Sequence, residues 1–338
     1  MASRCLLSLA VVVSAVSITG CGGADPPPDS AEKDSSDLEL RAGDPRAGDL
    51  ASVATDVYGP LYVQAGNFTG EATPKAWSSW WYPTREDTLF RSKSGVLSPL
   101  EKYDRYVREV LRRSSSAAEF ERKNLYDPYA AGWSGLCDAW AIASIMEPEP
   151  THDIIRHGIR FTVGDQKALL IKTYEDVQGL RLIGQRNDAQ WDSVYADIYP
   201  DQFHIVLKAE LLDGGRPFIM DHDAGIEVWN TPVWKAIVEV KEDPTDAATV
   251  HVRTTVVTAS PFVDDRDYTG TLEVTRTYTY DLVGAWEADR RFKVTSGRWT
   301  DRSRWDHPDF VIPKPTSLTQ KSRNTEINVD VVSAILQR

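Results

Sequence analysis

The sequence predicts an α+β domain with a helical first half and an antiparallel sheet, on three observations. Apolar residues recur at helical spacing between Ser98 and Asp176. After Pro200 the pattern turns extended and rich in β-branched and aromatic residues. Helices that precede strands in a block, instead of alternating with them, belong to an α+β fold and not to a parallel α/β one. With 338 residues, 41% hydrophobic and 10% aromatic, the chain can bury a full core.

In order, the first segment is an export leader over residues 1–20: Arg4 supplies the positive region, Leu6 to Val16 the apolar one, and "ITGC" (Ile18 to Cys21) ends in small residues before a cysteine. That pattern resembles a bacterial lipobox, which makes Cys21 the expected site of lipidation, a palmitate-type anchor. Residues 21–57, with "DPPPDS" and "AGDPRAGD", lack apolar periodicity and read as a flexible tether. The folded domain is expected over 58–320, followed by a C-terminal segment, 321–338. The domain soon reaches "WSSWWYP" (Trp77 to Pro83), too dense in large rings to sit in solvent.

Ser98 to Arg113 reads as an amphipathic helix, with Pro99 at its start, Glu101 in the first turn, and Tyr103, Val107 and Leu111 on one face. "CDAWAIASIM" from Cys137 is a second, buried helix stopped by Pro148 and Pro150, and Asp165 to Asp176 a third. Beyond Pro200, "FHIVLKAELL" and "RPFIMDHD" flank Asp213 to Gly215 and are expected to form a hairpin. Further strands are expected at "VWKAIVEV", "TVHVRTTVVTA", "TLEVTRTYTYDL" and "RFKVTSGRW".

A net charge of −12, without a Lys/Arg cluster able to neutralise a row of phosphates, argues against nucleic acid as a partner. The three cysteines narrow the chemistry. Cys5 leaves with the leader and Cys21 is acylated, so Cys137 is a lone thiol in an exported protein, without an intramolecular partner. At the first turn of a helix the backbone N–H groups and macrodipole favour a thiolate, the reactive form. Gly135 permits a tight approach to that turn. A nucleophilic thiol needs a base and a group to orient it. His152, His157, His251 and His307 read as surface or structural. His204, on the expected strand, would be brought by antiparallel pairing close to the residues around Asp223, so that Asp221 or Asp223 could stand beside it.

"WSGLCDAWAIASIMEPEP", "DQKALLIKTYED", "FHIVL" and "DHDAGIEVWNTPV" resemble the transglutaminase elicitor family, and "WWYPTRED", "SPLEKYD", "TYTYDL" and "HPDF" extend the likeness over roughly residues 75–315. The resemblance implies a papain-like/transglutaminase-like cysteine enzyme fold, with the nucleophile helix packed on an antiparallel sheet. It implies a Cys–His–Asp triad of Cys137 as nucleophile, His204 as base and Asp221 as orienting carboxylate. Two departures are present. Asp223 stands where the family has a small hydroxyl residue, and Asp138 replaces the histidine often found after the cysteine, where a carboxylate would raise the thiol pKa.

The implied activity is protein-glutamine γ-glutamyl transfer through a thioester on Cys137, with Trp133 and Trp140 as expected walls of the acyl site. Expected partners are proteins with glutamine side chains, primary-amine acceptors and, through the lipid anchor, a membrane. The expected location is the bacterial cell envelope, facing the periplasm or exterior. A thiol peptidase or deamidase with the same triad, and a non-catalytic surface lipoprotein, are the alternatives. No cofactor is expected. "DRDYTG" (Asp265 to Gly270) begins like a calcium loop, but the position of its bidentate glutamate is Arg276, so a polar turn is the better reading.

Overall fold

The computed structural model of the protein describes residues 57–184, 197–223, 225 and 227–337. The expected leader, the expected lipidation site Cys21 and the expected tether through residue 56 lie outside the described residues.

The helical layer forms where the sequence carries caps. Helix α1, Pro99–Glu109, begins in a capping box: the Ser98 hydroxyl accepts the Glu101 N–H and the Glu101 carboxylate accepts the Ser98 N–H at 2.8 Å. Its buried face includes Leu100, Tyr103 and Val107. Helix α2, Ala117–Asn124, is not foreshadowed by apolar spacing. Its first N–H groups, at Ala117 and Ala118, donate to the buried Asp104 of α1 at 2.7 and 3.0 Å. Helix α3, Cys137–Met146, and helix α4, Val163–Lys172, follow. α4 starts two residues before the expected boundary because Thr162 and Asp165 form its capping box. Lys167 and Lys172 of α4 are fully buried yet paired, with Glu149 and with Glu121 and Glu175.

The sheet is antiparallel, in the order β1–β10–β9–β8–β7–β6–β11–β5, with β2 also on β7. Its strands are β1 (Tyr62–Val63), β2 (Gly66–Glu71), β5 (Ile183–Gly184), β6 (Phe218–Asp221), β7 (Asn230–Glu242), β8 (Thr249–Ala259), β9 (Glu273–Trp286), β10 (Phe292–Trp299) and β11 (Phe310–Pro313). A separate hairpin pairs β3 (Ile154–Arg156) with β4 (Ile159–Phe161). The four long strands expected after Trp229 are all present, and the helices before them make this a mixed helix and antiparallel sheet architecture.

One expected strand is a helix. "FHIVL" lies in α5, Pro200–Val206, which continues as a π-helical turn, Leu207–Leu212. Pro200 is a helix-start residue, and Phe203, Val206, Leu207 and Leu211 recur at helical spacing, all buried. Asp213 to Gly215 is therefore a helix stop and not a hairpin. A Cβ on Gly214 would lie 2.7 Å from the Ala209 and Glu210 carbonyl oxygens, and Gly215 takes φ +58°. β-Branched Ile205 and Val206 favour strands only weakly, and here burial outweighs that preference.

The sheet separates two cores. Strand alternation sends Ile219 of β6 and Phe310 and Ile312 of β11 toward α1, α3 and α4. Phe218, Met220 and Val311 point the other way, onto Phe203, Val206 and Leu207 of α5 and its continuation. The final helix, α6 (Val329–Leu336), puts Val331, Val332 and Ile335 into the first core, so residues beyond 320 pack with the domain.

Candidate active site

Cys137 is the first residue of α3 and is 5% exposed. The chain reaches it along Trp81: the Leu136 N–H donates to the Trp81 carbonyl at 2.8 Å. A Cβ on Gly135 would lie 2.4 Å from the Trp81 ring, so only glycine lets that indole lie flat on the approach. The Cys137 sulfur donates to the Val228 carbonyl at 3.4 Å and receives the Asn230 N–H. Trp81 and Trp229 enclose it with Phe262 at their side; the Trp81 and Trp229 centroids are 5.0 Å apart, edge to face.

Of the expected triad, the structure brings Asp221 to Cys137 and not His204. Asp221 ends β6, fully buried, with Oδ1 accepting the Trp229 N–H at 2.8 Å and the Asp223 N–H at 3.4 Å. Asp223 instead accepts the Gly225 N–H at 2.8 Å, and of the two aspartates it is Asp221 whose charge acts on the Cys137 thiol. Burial pushes the Cys137 thiol well above its ordinary range, and the negative charges of Asp138 and Asp221 add to the effect. Asp138 thus acts as the sequence indicates, although burial also raises its own carboxyl pKa. The resting site holds a neutral thiol.

His204 sits on α5, behind the opposite face of the sheet. Its Nδ1 is 2.7 Å from the Tyr280 hydroxyl, and burial pushes its pKa down to about 3. The resemblance implied His204 beside Asp221, and the hairpin pairing that made the approach plausible is replaced by the helix. His222, overlooked because it falls between the two aspartates, lies with Nδ1 3.3 Å from the Thr231 hydroxyl and is also pushed down to about 3, first by burial and then by Arg276. Among the described residues no histidine hydrogen-bonds Cys137.

Of the expected aromatic walls, Trp133 packs beside the Cys137 cluster, whereas Trp140 does not. Trp140 is fully buried in the helical core and donates its indole N–H to the Trp77 carbonyl at 3.1 Å. The walls that sequence reasoning missed, Trp81 and Trp229, were visible as the last tryptophan of "WSSWWYP" and the tryptophan after "IEV"; only tertiary pairing puts them together.

The calcium-like run is a turn in which Asp267 accepts the Gly164 N–H at 2.7 Å and Asp265 accepts the Asp267 N–H at 2.9 Å. Among the described residues no group of three His, Cys, Asp or Glu side chains is placed to hold a metal ion.

Residues 112–275 match the family model described as transglutaminase elicitor. The family likeness read from the sequence is shown over that span, which contains Cys137, His204 and Asp221. The crystal structure of the GP42 transglutaminase from Phytophthora sojae is similar, with a TM-score of 0.66 at 20% identity, covering 86% of this chain and 98% of that one. At that identity the likeness speaks for the fold alone. No curated protein matches the chain.

Proposed function

We propose that the protein is a protein-glutamine γ-glutamyltransferase of transglutaminase type, using a papain-like arrangement in which Cys137 heads a helix packed on the sheet. One observation carries this reading: the lone free thiol among the described residues heads a helix, its sulfur bonded to the Val228 and Asn230 backbone, under the charge of Asp221 and packed against two tryptophans. In the proposed step the sulfur adds to the side-chain carbonyl carbon of a glutamine. The thiol proton passes to Asp221 and then to the departing ammonia, leaving a thioester. A primary amine then attacks the thioester carbonyl and releases the Cys137 thiol. The Cys137 N–H, at the helix start, is the donor proposed for the oxyanion of both steps. Trp81, Trp229 and Trp133 would limit water at the thioester, favouring amine over hydrolysis. His204 has no part in this step.

Intact-mass measurement tests the reading. With a glutamine-bearing protein and a primary amine, the expected products are an amine adduct on the substrate and a thioester mass on Cys137. Water as sole acceptor would make the protein a thiol hydrolase. Absence of any thioester would favour a protein that keeps the fold without turnover, a reading to which the raised thiol pKa and the absence of a histidine contact lend specific support.

The leader and Cys21 support a place in the cell envelope on a lipid anchor. Cys21→Ser should release the domain or leave the precursor uncut; persistent membrane attachment would remove that claim. No helix among the described residues is long and apolar enough to cross a membrane.

A further inference from the structure

On the sheet face away from Cys137 lies a cavity of about 700 Å³, bounded by α5 and its π-helical turn, by residues 58–69 and by β7. That volume is in the range of small-molecule sites, and π-helical turns recur at such sites. The turn is braced. Glu210 accepts from the Tyr58 hydroxyl at 2.6 Å and from Arg216 at 2.8 Å, and Gly70 of β2 lets the strand approach so closely that a Cβ there would lie 2.6 Å from the Leu211 carbonyl oxygen.

His204 is 2% exposed and lines this cavity. Its Nδ1 is taken by Tyr280, whose hydroxyl lies 2.8 Å from the Thr254 hydroxyl. In a single direction of this chain every hydroxyl hydrogen has an acceptor: Thr254 donates to Tyr280 and Tyr280 donates to Nδ1. Nε2 then carries the hydrogen and has no protein partner among the described residues. The imidazole is neutral at ordinary pH because of its burial. That N–H is left for an acceptor within the cavity that His204 lines. Lys208, four residues on, also lines the cavity, and its charge acts on His204. The remaining wall is mixed, with apolar Leu61, Phe68 and Val240 beside polar Gln64, Asn67 and Asp213 and the cation Arg291.

We propose that this cavity binds a small apolar carboxylate, of the medium-chain fatty acid class, with its carboxylate accepting from His204 Nε2 and paired with the Lys208 ammonium, and its chain along the apolar wall. Lys208 would exchange its exposed partner Asp213 for the ligand.

Calorimetric titration of the intact protein with sodium octanoate, with 1-octanol as comparator, tests this. One saturable octanoate site is expected, with binding about tenfold or more weaker for 1-octanol and for Lys208→Met. His204→Phe should abolish it. Should that variant fail to fold, the ¹⁵N resonances of the His204 ring carry the test, and Nε2 should be the protonated nitrogen and shift on saturation. Equal affinity for octanol, undiminished binding in Lys208→Met, ring resonances that do not move, or no saturable binding below about 10 mM would each overturn the proposal.

Discussion

The two faces of the sheet hold their buried titratable groups in opposite ways. On the α3 face Cys137 is enclosed by Trp81 and Trp229, its sulfur is committed to the backbone of Val228 and Asn230, and two carboxylates disfavour its thiolate. On the α5 face His204 is just as buried, but it borders an open cavity and keeps one nitrogen free of protein partners among the described residues. Burial alone therefore does not mark a reactive group. What distinguishes the faces is which atom is left for a ligand, and what must move before one arrives.

The widest contrast is expected from Cys137→Ser. The oxygen fits the same space at the helix start, so stability should change little, while amine incorporation should fall by about three orders of magnitude or more. Near-full turnover in the folded variant would sink the transferase reading. Asp221→Asn should lower turnover about 100-fold. Asp223→Asn, whose carboxylate accepts the Gly225 N–H, should cost far less, and the reverse order would move the proton-accepting role to Asp223.

The α5 face should respond in stability. Asp201, in the first turn of α5, is pushed up to about 7 by burial, so the folded state keeps its proton where the unfolded chain has lost it. The folded state binds more protons between about pH 4 and pH 7, and stability falls as pH rises through that window. Asp201→Asn should remove the decline, gaining up to about 1.4 kcal/mol per pH unit across it. Denaturant titrations at several pH values check this, and parallel curves would refute it. The smallest effect is expected from Gly135→Ala, which forces the Trp81 ring aside at about 1–2 kcal/mol. Because Trp81 helps cover the thiol, iodoacetamide should modify Cys137 faster in this variant; an unchanged rate would mean the indole is no barrier.

Helix α3 was legible because its punctuation is local: apolar run, single cysteine, prolines beyond. The long strands β7 to β10 were legible for the same reason, through their runs of β-branched and aromatic residues. The partner of Cys137 was not. Asp221 stood in view, but choosing a histidine for it depended on reading Asp213 to Gly215 as a hairpin, and the same residues are good helix-stop signals. Pro200 at one end and Gly214 at the other bracket α5 in the sequence, and weighting that pair above β-branching at Ile205 and Val206 would have found the helix. The aromatic cover had no local signal, since Trp81 and Trp229 meet only through folding.

The pairing of β1 and β2 has a consequence for how the domain comes together. Tyr62 pairs with Lys293, and Asn67 with Glu239, so the first strands in the chain find their partners only after most of the polypeptide exists. Such sequence-distant closure is slow, and it leaves strand edges without hydrogen-bond partners while synthesis proceeds from the N-terminus. Residues 58–69 also supply one wall of the His204 cavity. That wall therefore waits on strands far along the chain, and a chain shortened at its N-terminus could complete the α3 face while leaving the α5 face unsealed.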